Sequence, residues 1–266
     1  MTSPESSAWD SYLTTGDDGR PMLRNTIGAV NDYHLWVLEF REVMARTQEI
    51  RSGAAPIART GDLAQWRAIH AHQFGNIYEW AGRLRTTRMS KDGAGFAAPG
   101  ELEPYLSENI PTAAGMPWRR MGRDEFVEAV AWSFSALNAA HPFREGNGRS
   151  LRVFLDQLSE HARWRIDYSQ VSDREGAERW DAACHATRAR WPEINPAPLE
   201  ELFDRIVGIT DVPAVQQTGV MPPAQRRLLG LTNIRPAEPS HEVPGSAPMS
   251  ETYEVPLDRD TDPDMF

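Results

Sequence analysis

The sequence predicts an all-α fold that carries one small β-hairpin. Apolar residues recur at helical spacing in several segments, most clearly over 124–140, with one face made of Phe126, Val130, Phe134 and Leu137. Strand patterns do not alternate with helices and no internal repeat is present, so neither a parallel α/β sheet nor a solenoid is expected. Asp92 and Gly93 form a turn signal within 83–100, which predicts the hairpin.

The helices follow one another along most of the chain. Residues 52–60 are typical of a loop, and Asp62 is the expected N-cap of the helix that follows it. The predicted helical segments are 23–50, 62–74, 101–110, 124–140, 150–163, 172–190 and 197–209.

Composition divides the chain into three parts. Residues 1–22 are a polar, turn-rich lead-in expected to run as a surface loop, and 23–210 are the expected compact domain. Residues 211–266 hold nine of the 20 Pro and five of the ten net negative charges. Such a composition buries too little apolar surface to offset its ordering entropy, so we expect a disordered tail. The alternative is a segment that folds on binding a partner.

Charge and cysteine usage exclude several classes of protein. A net charge of -10 argues against sequence-independent nucleic-acid binding, and no apolar run is long enough for a membrane span. We therefore expect neither nucleic acid nor membrane as a partner. The N-terminus lacks the features of a signal peptide, and Cys184, the single cysteine, cannot form an intramolecular disulfide. The expected compartment is the cytoplasm, either of the producing cell or of a cell into which the protein is delivered.

The chemistry is concentrated in residues 141–149, which read HPFREGNGR, and in Arg152. Pro142 ends the preceding helix, so His141 is expected at a helix end beside a loop. Gly146 and Gly148 allow tight turns and close approach to a ligand. A new helix begins here, and its free N–H groups make an anion site.

The side chains of this segment match the needs of group transfer. His141 is suited to take a proton from a hydroxyl near neutral pH, and Glu145 offers a hard oxygen ligand for Mg²⁺. Asn147 can donate to developing charge, while Arg149 and Arg152 lie one turn apart and are expected to reach phosphate oxygens from the same side. Each residue alone is common in loops, but together they predict transfer of a phosphate-containing group onto a hydroxyl.

The segment resembles the signature HPFx(D/E)GNGRxxR of the Fic (filamentation induced by cAMP) family of protein adenylyltransferases. The lead-in YLTTGDDGRPMLRN, the segment IHAHQFGNIYEWAGRLRT and the segment SKDGAGFAAP are also similar to that family. The resemblance covers roughly residues 10–205. It implies a helical Fic-type domain with one β-hairpin flap, and Mg²⁺ with ATP as co-substrate.

The resemblance also implies roles for the motif residues. His141 would deprotonate the target hydroxyl, Glu145 would bind Mg²⁺ on the ATP phosphates, and Phe143 would pack into the core. The α- and β-phosphates would lie in an anion hole made of Gly146, Asn147 and Gly148. Arg149 would contact the distal phosphates and Arg152 would support them.

The flap around residues 89–97 would pair with the target's backbone and place its hydroxyl. The docking residues implied are Met89, Ser90, Lys91, Asp92, Gly93 and Phe96, with Lys91 expected to be exposed. AMP would move from ATP to a Tyr, Thr or Ser hydroxyl of a target protein, with release of pyrophosphate. Asn138, one turn before His141, either supports the loop or caps the helix end.

Several other residues are expected to be structural. His70 and His72 are two apart on a helix and point to different sides, so they cannot chelate one metal together. Tyr78, Trp80 and Cys184 are expected in the core.

Two alternatives and one mode of control stay open. The motif could transfer another group, such as UMP or another phosphate-containing group, or the fold could be an idle binding module. Many members of the family are inhibited by a helix with the pattern (S/T)xxxE(G/N), which this sequence lacks; residues 172–176 have the wrong spacing. We therefore expect an antitoxin-like inhibitor acting in trans, as for the toxin of a toxin–antitoxin pair, with an inhibitor in the acidic tail as the lesser possibility.

Overall fold

The computed structural model describes residues 9–91, 93–188 and 192–209. The prediction for the 211–266 tail lies outside the described residues. Seven α-helices occur in the described part of the chain. They are α1 (Asp32–Ser52), α2 (Leu63–Phe74), α3 (Leu102–Ala114), α4 (Arg123–Ala140), α5 (Asn147–Leu158), α6 (Arg174–Arg188) and α7 (Ala197–Ile206).

The predicted helical fold is confirmed, but two helix starts differ. The first helix begins at Asp32 rather than residue 23, because Asn31 caps it with its side chain after the chain has left a short strand. The helix expected from 150 begins at Asn147, directly after Gly146. Gly146 has a φ of 77°, which breaks the preceding backbone and lets the helix begin inside the motif.

Three two-stranded antiparallel sheets accompany the described helices. Strands β3 (Ser90–Lys91) and β4 (Ala94–Gly95) pair Ser90 with Gly95, which confirms the predicted hairpin flap. Two other sheets were not predicted: β1 (Leu13–Thr15) with β2 (Pro21–Leu23), and β5 (Trp164–Ile166) with β6 (Val207–Ile209).

The first of these sheets corrects the expectation that 1–22 is a surface loop. Leu13 of β1 pairs with Leu23 of β2, so the strands cross the proposed boundary at residue 23. Met22 of β2 is buried against Leu35 and Val43 of α1. The described part of the lead-in is therefore packed onto the helical domain.

The main core lies around α4, which packs against α3, α5, α6 and α7. The predicted apolar face of α4 is buried, and it includes Phe126, Val130, Phe134 and Leu137. Helix α5 packs between α4 and α2, and α2 packs on α1. The loop that joins α4 to α5 therefore lies between buried helices. No helix among the described residues is long and apolar enough to cross a bilayer.

Helix α2 is aligned on α5 by a buried tryptophan. Trp66 of α2 stacks on Phe154 of α5, with ring centroids 5.8 Å apart and planes 2° from parallel. Its indole N–H donates to the Ser150 hydroxyl over 3.1 Å. Since Ser150 lies in the first turn of α5, this contact fixes the end of α5 that carries the motif.

We expect Asp62→Ala to lower the free energy of unfolding by about 1 kcal/mol, because the Asp62 side chain accepts from the backbone N–H of Gln65 over 2.9 Å at the start of α2. Asp62→Asn keeps an acceptor at this position and is the control. Denaturant unfolding measures both variants, and an equal loss for Ala and Asn would contradict the capping role.

Candidate active site

His141 terminates α4 in a left-handed backbone conformation, with φ 46° and ψ 60°. Among the described residues it is the only one other than glycine with a positive φ. The predicted position of His141 at a helix end is therefore confirmed. A side chain in this conformation costs about 1–2 kcal/mol, so the surroundings must hold it there.

Arg85, which the sequence did not single out, holds this helix end. It is buried, and its Nε donates to the carbonyl oxygen of His141 over 2.7 Å while its Nη2 donates to Ala140 over 3.1 Å. The same guanidinium donates to the carbonyls of Thr87 and Ala97, one on each side of the flap. The sequence offers one weak signal, since Arg85 lies in the segment similar to the flap entry.

The imidazole of His141 rests on the flap. The Phe96 ring stacks on it with centroids 4.0 Å apart, and the guanidinium carbon of Arg188 lies 4.4 Å from the Phe96 ring centre. The Phe96 side chain, which contacts both of these groups, is buried. An apolar ring after β4 gains from covering His141 and Arg188, so Phe96 supports the His141 ring, and its docking of a target stays a prediction.

Lys91 is not the exposed flap residue that was expected. Its ammonium pairs with the Asp181 carboxylate of α6 over 2.7 Å, and its side chain is 33% exposed. The flap is thereby fastened to α6. Ser90 and Gly93 are exposed, Met89 is half-buried, and Asp92 lies outside the described residues.

The loop between the two helices is closed by Asn147. Its Oδ1 accepts from the backbone N–H of Phe143 over 2.8 Å, and its Nδ2 donates to the Phe143 carbonyl over 3.0 Å. The family resemblance places Asn147 in the anion hole, but it did not predict that the Asn147 side chain also holds the loop. Gly148 occupies the second position of α5, where its N–H belongs to the open first turn.

His70 supports the same loop from α2. Its Nε2 lies 2.8 Å from the carbonyl oxygen of Glu145, and the N–H of Gly82 donates to its Nδ1 over 2.9 Å. The Nε2 therefore carries the proton, and the imidazole is neutral. Burial, aided by the nearby charge of Arg149, lowers the pKa of His70 to about 3.

The neighbouring residues that were expected in the core are buried, apart from Trp80. His72 points elsewhere, with its Nε2 2.8 Å from a Glu49 carboxylate oxygen. Phe143 is fully buried and stacks on His70 at 3.9 Å. Tyr78 and Cys184 are buried, while Trp80 is half-buried and stacks on Tyr78 at 4.4 Å.

Glu145 directs its carboxylate toward the start of α5. Its Oε1 accepts from the N–H of Gly146 over 3.1 Å and from Nη2 of Arg149 over 3.2 Å, and the side chain is 18% exposed. Within the described ranges no group of three or more His, Cys, Asp or Glu side chains is placed to hold a metal ion. This single carboxylate beside an anion site fits a cation that takes its other ligands from phosphates.

Arg149 is buried in ion pairs, and the contact with distal phosphates expected of it stays a prediction. It is 6% exposed, and its Nη1 pairs with Oε1 of Glu39 on α1 over 2.6 Å. The Tyr78 hydroxyl donates to the other oxygen of Glu39, and burial together with that carboxylate raises the pKa of Tyr78. No sequence pattern pointed to Glu39, because nothing local indicates that α1 lies against the motif.

Arg152 occupies a different environment. Its guanidinium carbon lies 4.9 Å from the ring centres of both Tyr168 and Trp180. Arg149 therefore faces α1 and Arg152 faces α6, which corrects the expectation that both guanidinium groups share one side. Residues three apart on a helix differ by about 60° in direction, and long side chains increase that divergence. Asn138 is buried in the last turn of α4, and its role stays a prediction.

Residues 61–159 match the model of the Fic/DOC family. This part of the chain is a Fic domain. The matched range runs from α2 through the flap to the end of α5, so it contains His141, Glu145 and both arginines of the motif.

Named relatives share this Fic domain. Protein adenylyltransferase VbhT of Bartonella schoenbuchensis is 34% identical over 155 residues, which are 58% of this chain and 32% of that protein. The probable protein adenylyltransferase y4lH of Sinorhizobium fredii is 35% identical over 115 residues, which are 42% of this chain and 60% of that protein. The chain therefore spans less than two thirds of the length of either relative.

Solved Fic-domain structures resemble the fold. BepC of Bartonella tribocorum, a VirB-translocated effector with bound AMPPNP, gives a TM-score of 0.65 at 27% identity, over 75% of this chain and 97% of that one. The N-terminal Fic domain of a putative cell filamentation protein of Bartonella quintana, with bound ADP, gives 0.61 at 26% identity, over 71% and 92%.

We expect Gly146→Ala to lower the free energy of unfolding of the Fic domain by about 2–4 kcal/mol. The new Cβ would overlap the Phe74 ring and would also hold alanine at a positive φ. Gly53→Ala is the matched control, because Gly53 has the same φ of 77° with no atom within 4 Å of its Cβ position. Denaturant unfolding should give the control a loss of about 1 kcal/mol. Equal losses would show that contact with Phe74 is unimportant.

We expect His70 to make the folded state lose stability as the pH falls below 6.5. The unfolded state binds a proton near its ordinary pKa of about 6.5, whereas the folded state binds it only near 3, so stability is fully present above 6.5. The parent should have a higher free energy of unfolding than His70→Gln at pH 7, and this difference should be smaller by about 2 kcal/mol at pH 5.

The measurement is urea unfolding at both pH values. His161→Gln, at a largely exposed histidine, is the control, and we expect no comparable narrowing there. If the difference in free energy of unfolding between the parent and His70→Gln is the same at both pH values, His70 is not neutral and buried as described.

Proposed function

We propose that this Fic domain is a protein adenylyltransferase, which moves AMP from ATP to a Tyr, Thr or Ser hydroxyl of a target protein and releases pyrophosphate. The observation that carries the proposal is the placement of His141: it stands at the end of α4, one short loop before the open N-terminus of α5, with its ring against the flap. A base and an anion site are thereby presented together. The names of the relatives and the nucleotides bound in BepC and the Bartonella quintana domain support the same chemistry.

The proposed reaction begins when the target hydroxyl oxygen attacks the α-phosphorus of ATP. His141 takes the hydroxyl proton as the new oxygen–phosphorus bond forms. The bond between the α-phosphorus and the bridging oxygen breaks, and pyrophosphate leaves. The backbone N–H groups of Asn147 and Gly148 would stabilise the charge on the phosphates, because they lie at the positive end of α5, whereas that of Gly146 donates to Glu145.

Glu145 would hold Mg²⁺ with the nucleotide phosphates. The carboxylate is a hard oxygen ligand of the kind that Mg²⁺ prefers in proteins. When bound, the cation neutralises phosphate charge. The Glu145 backbone is fixed by His70, so the carboxylate is held at the edge of the anion site.

The two motif arginines would have different tasks. Arg149 is neutralised by Glu39 and Glu145, so we assign it to holding α5 and the loop rather than to the distal phosphates. Arg152 lies on two aromatic rings, and we keep for it the supporting role toward the phosphates that the family resemblance implies.

The flap would receive the target. Its strands β3 and β4 are two residues long, and Ser90, Gly93 and Gly95 are exposed along them. A target segment could pair with this exposed backbone edge and bring its hydroxyl to His141. Phe96 and Lys91 would hold the flap in place.

Control of the activity would come from outside the described residues. The sequence lacks the (S/T)xxxE(G/N) pattern, which supports an antitoxin-like inhibitor in trans and the role of toxin in a toxin–antitoxin pair. The tail from 211 to 266 is the other candidate inhibitor. The compartment would be the cytoplasm of the producing cell or of a recipient cell.

The proposal is tested with Mg²⁺ and ATP labelled at either the α- or the γ-phosphate, with UTP as a competing donor, and with a lysate as the source of targets. We expect α-label, and no γ-label, on protein. His141→Ala should reduce the rate by about 10²–10⁴-fold, the usual contribution of a general base. His185→Ala is the matched control.

Other outcomes separate the alternatives. Label from the γ position would show phosphate transfer, preferred use of UTP would show uridylyl transfer, and no transfer to protein under any condition would show an idle module. A chain that lacks residues 211–266 is assayed in parallel. Equal activity supports inhibition in trans, whereas a sharp rise would identify the tail as the inhibitor.

A further inference from the structure

Arg85 joins the two ends of the flap to the end of α4, which lies more than 50 positions further along the chain. Its guanidinium donates to Thr87 just before the flap, to Ala97 just after it, and to Ala140 and His141 at the end of α4. Its backbone N–H adds a bond to the Pro142 carbonyl over 2.8 Å. One side chain therefore contacts both ends of the flap and the residue that carries the base.

The charge of Arg85 is balanced by carbonyl dipoles. Within the described residues all of its side-chain hydrogen bonds go to backbone oxygens, and two of these belong to the C-terminal end of α4, where the helix dipole is negative. Burial lowers the pKa of Arg85 to about 10, so the group stays charged near neutral pH. The Arg85 guanidinium therefore contributes mainly through the fixed directions of its N–H donors.

The flap depends on the same contact. The Ala97 N–H donates to the Ala139 carbonyl over 3.2 Å, and the Phe96 N–H donates to Met89 over 3.1 Å. The side chain of Phe96, the residue before Ala97, covers the His141 ring. A shift of the flap ends relative to α4 would therefore move the surface on which the imidazole rests.

We propose that Arg85 is a positioning residue for the base: it fixes the left-handed backbone of His141 and keeps the flap in register with it. The proposal rests on the proposed function of the Fic domain. Arg85 touches no reacting atom, so its effect passes through His141 and Phe96. Misplacement of a reacting group by about 1 Å costs on the order of 100-fold in rate.

Lysine cannot replace this arginine. The planar guanidinium presents five N–H donors in a fixed fork, and Arg85 uses Nε, Nη1 and Nη2 toward four carbonyls in different directions. The ammonium of Arg85→Lys keeps the charge, but its single nitrogen cannot span both ends of the flap. Arg83, exposed two residues earlier, supplies the matched control Arg83→Lys.

The test combines amide hydrogen exchange, nucleotide binding and α-label transfer on the full chain. In Arg85→Lys we expect the amides of Phe96 and Ala97 to exchange at least about tenfold faster, while the Trp66 amide of α2 keeps its parent rate. Affinity for Mg²⁺ with AMPPNP should stay within about threefold, and kcat should fall about 100-fold. Arg83→Lys should match the parent in all three measurements.

Three results would overturn the proposal. They are unchanged exchange at Phe96 and Ala97, a kcat within about threefold of the parent, and faster exchange throughout α2 together with lost AMPPNP binding, which shows general destabilisation. If Arg85→Lys fails to fold, Arg85→Gln is judged by the same criteria. A parent that transfers no label overturns the proposed function instead, and the exchange measurement still decides whether Arg85 holds the flap to α4.

Discussion

The buried backbone between α4 and α5 is the constraint on which the site depends. This loop turns sharply between packed helices, so its carbonyl groups must find partners inside the protein. The side chain of Arg85 donates hydrogen bonds to the carbonyls of Ala140 and His141, and its backbone N–H donates to the carbonyl of Pro142. The cost of the left-handed conformation at His141 is thus offset by hydrogen bonds that exist only in this arrangement.

The second half of the loop follows the same principle with other side chains. Asn147 satisfies both backbone groups of Phe143, and His70 donates to the carbonyl of Glu145. His70 must be neutral for this, and its burial keeps it so. Consequently, a motif that is read as catalytic also contains the residues that build its own scaffold. Asn147 is the clearest case, because both hydrogen-bonding groups of its side chain bind the backbone of Phe143.

The charges of the site are organised by contacts between distant elements. Glu39 of α1 neutralises Arg149, and Asp181 of α6 pairs with Lys91 of the flap. The first pair connects α1 to the motif, and the second connects the flap to α6. Arg152 contacts two aromatic rings, Tyr168 and Trp180, and so faces α6 rather than α1.

The sequence by itself determined the helical class, the cap at Asp62 and the end of α4 at His141, because each depends on local periodicity, a capping side chain or a proline. The tertiary structure decided which residues meet. Arg85 with His141, Glu39 with Arg149, and Phe96 with His141 are separated by 45 to 110 positions, and only helix packing brings them together. A long side chain has many rotamers of similar energy, so its partner is set by the surrounding fold rather than by its neighbours in sequence.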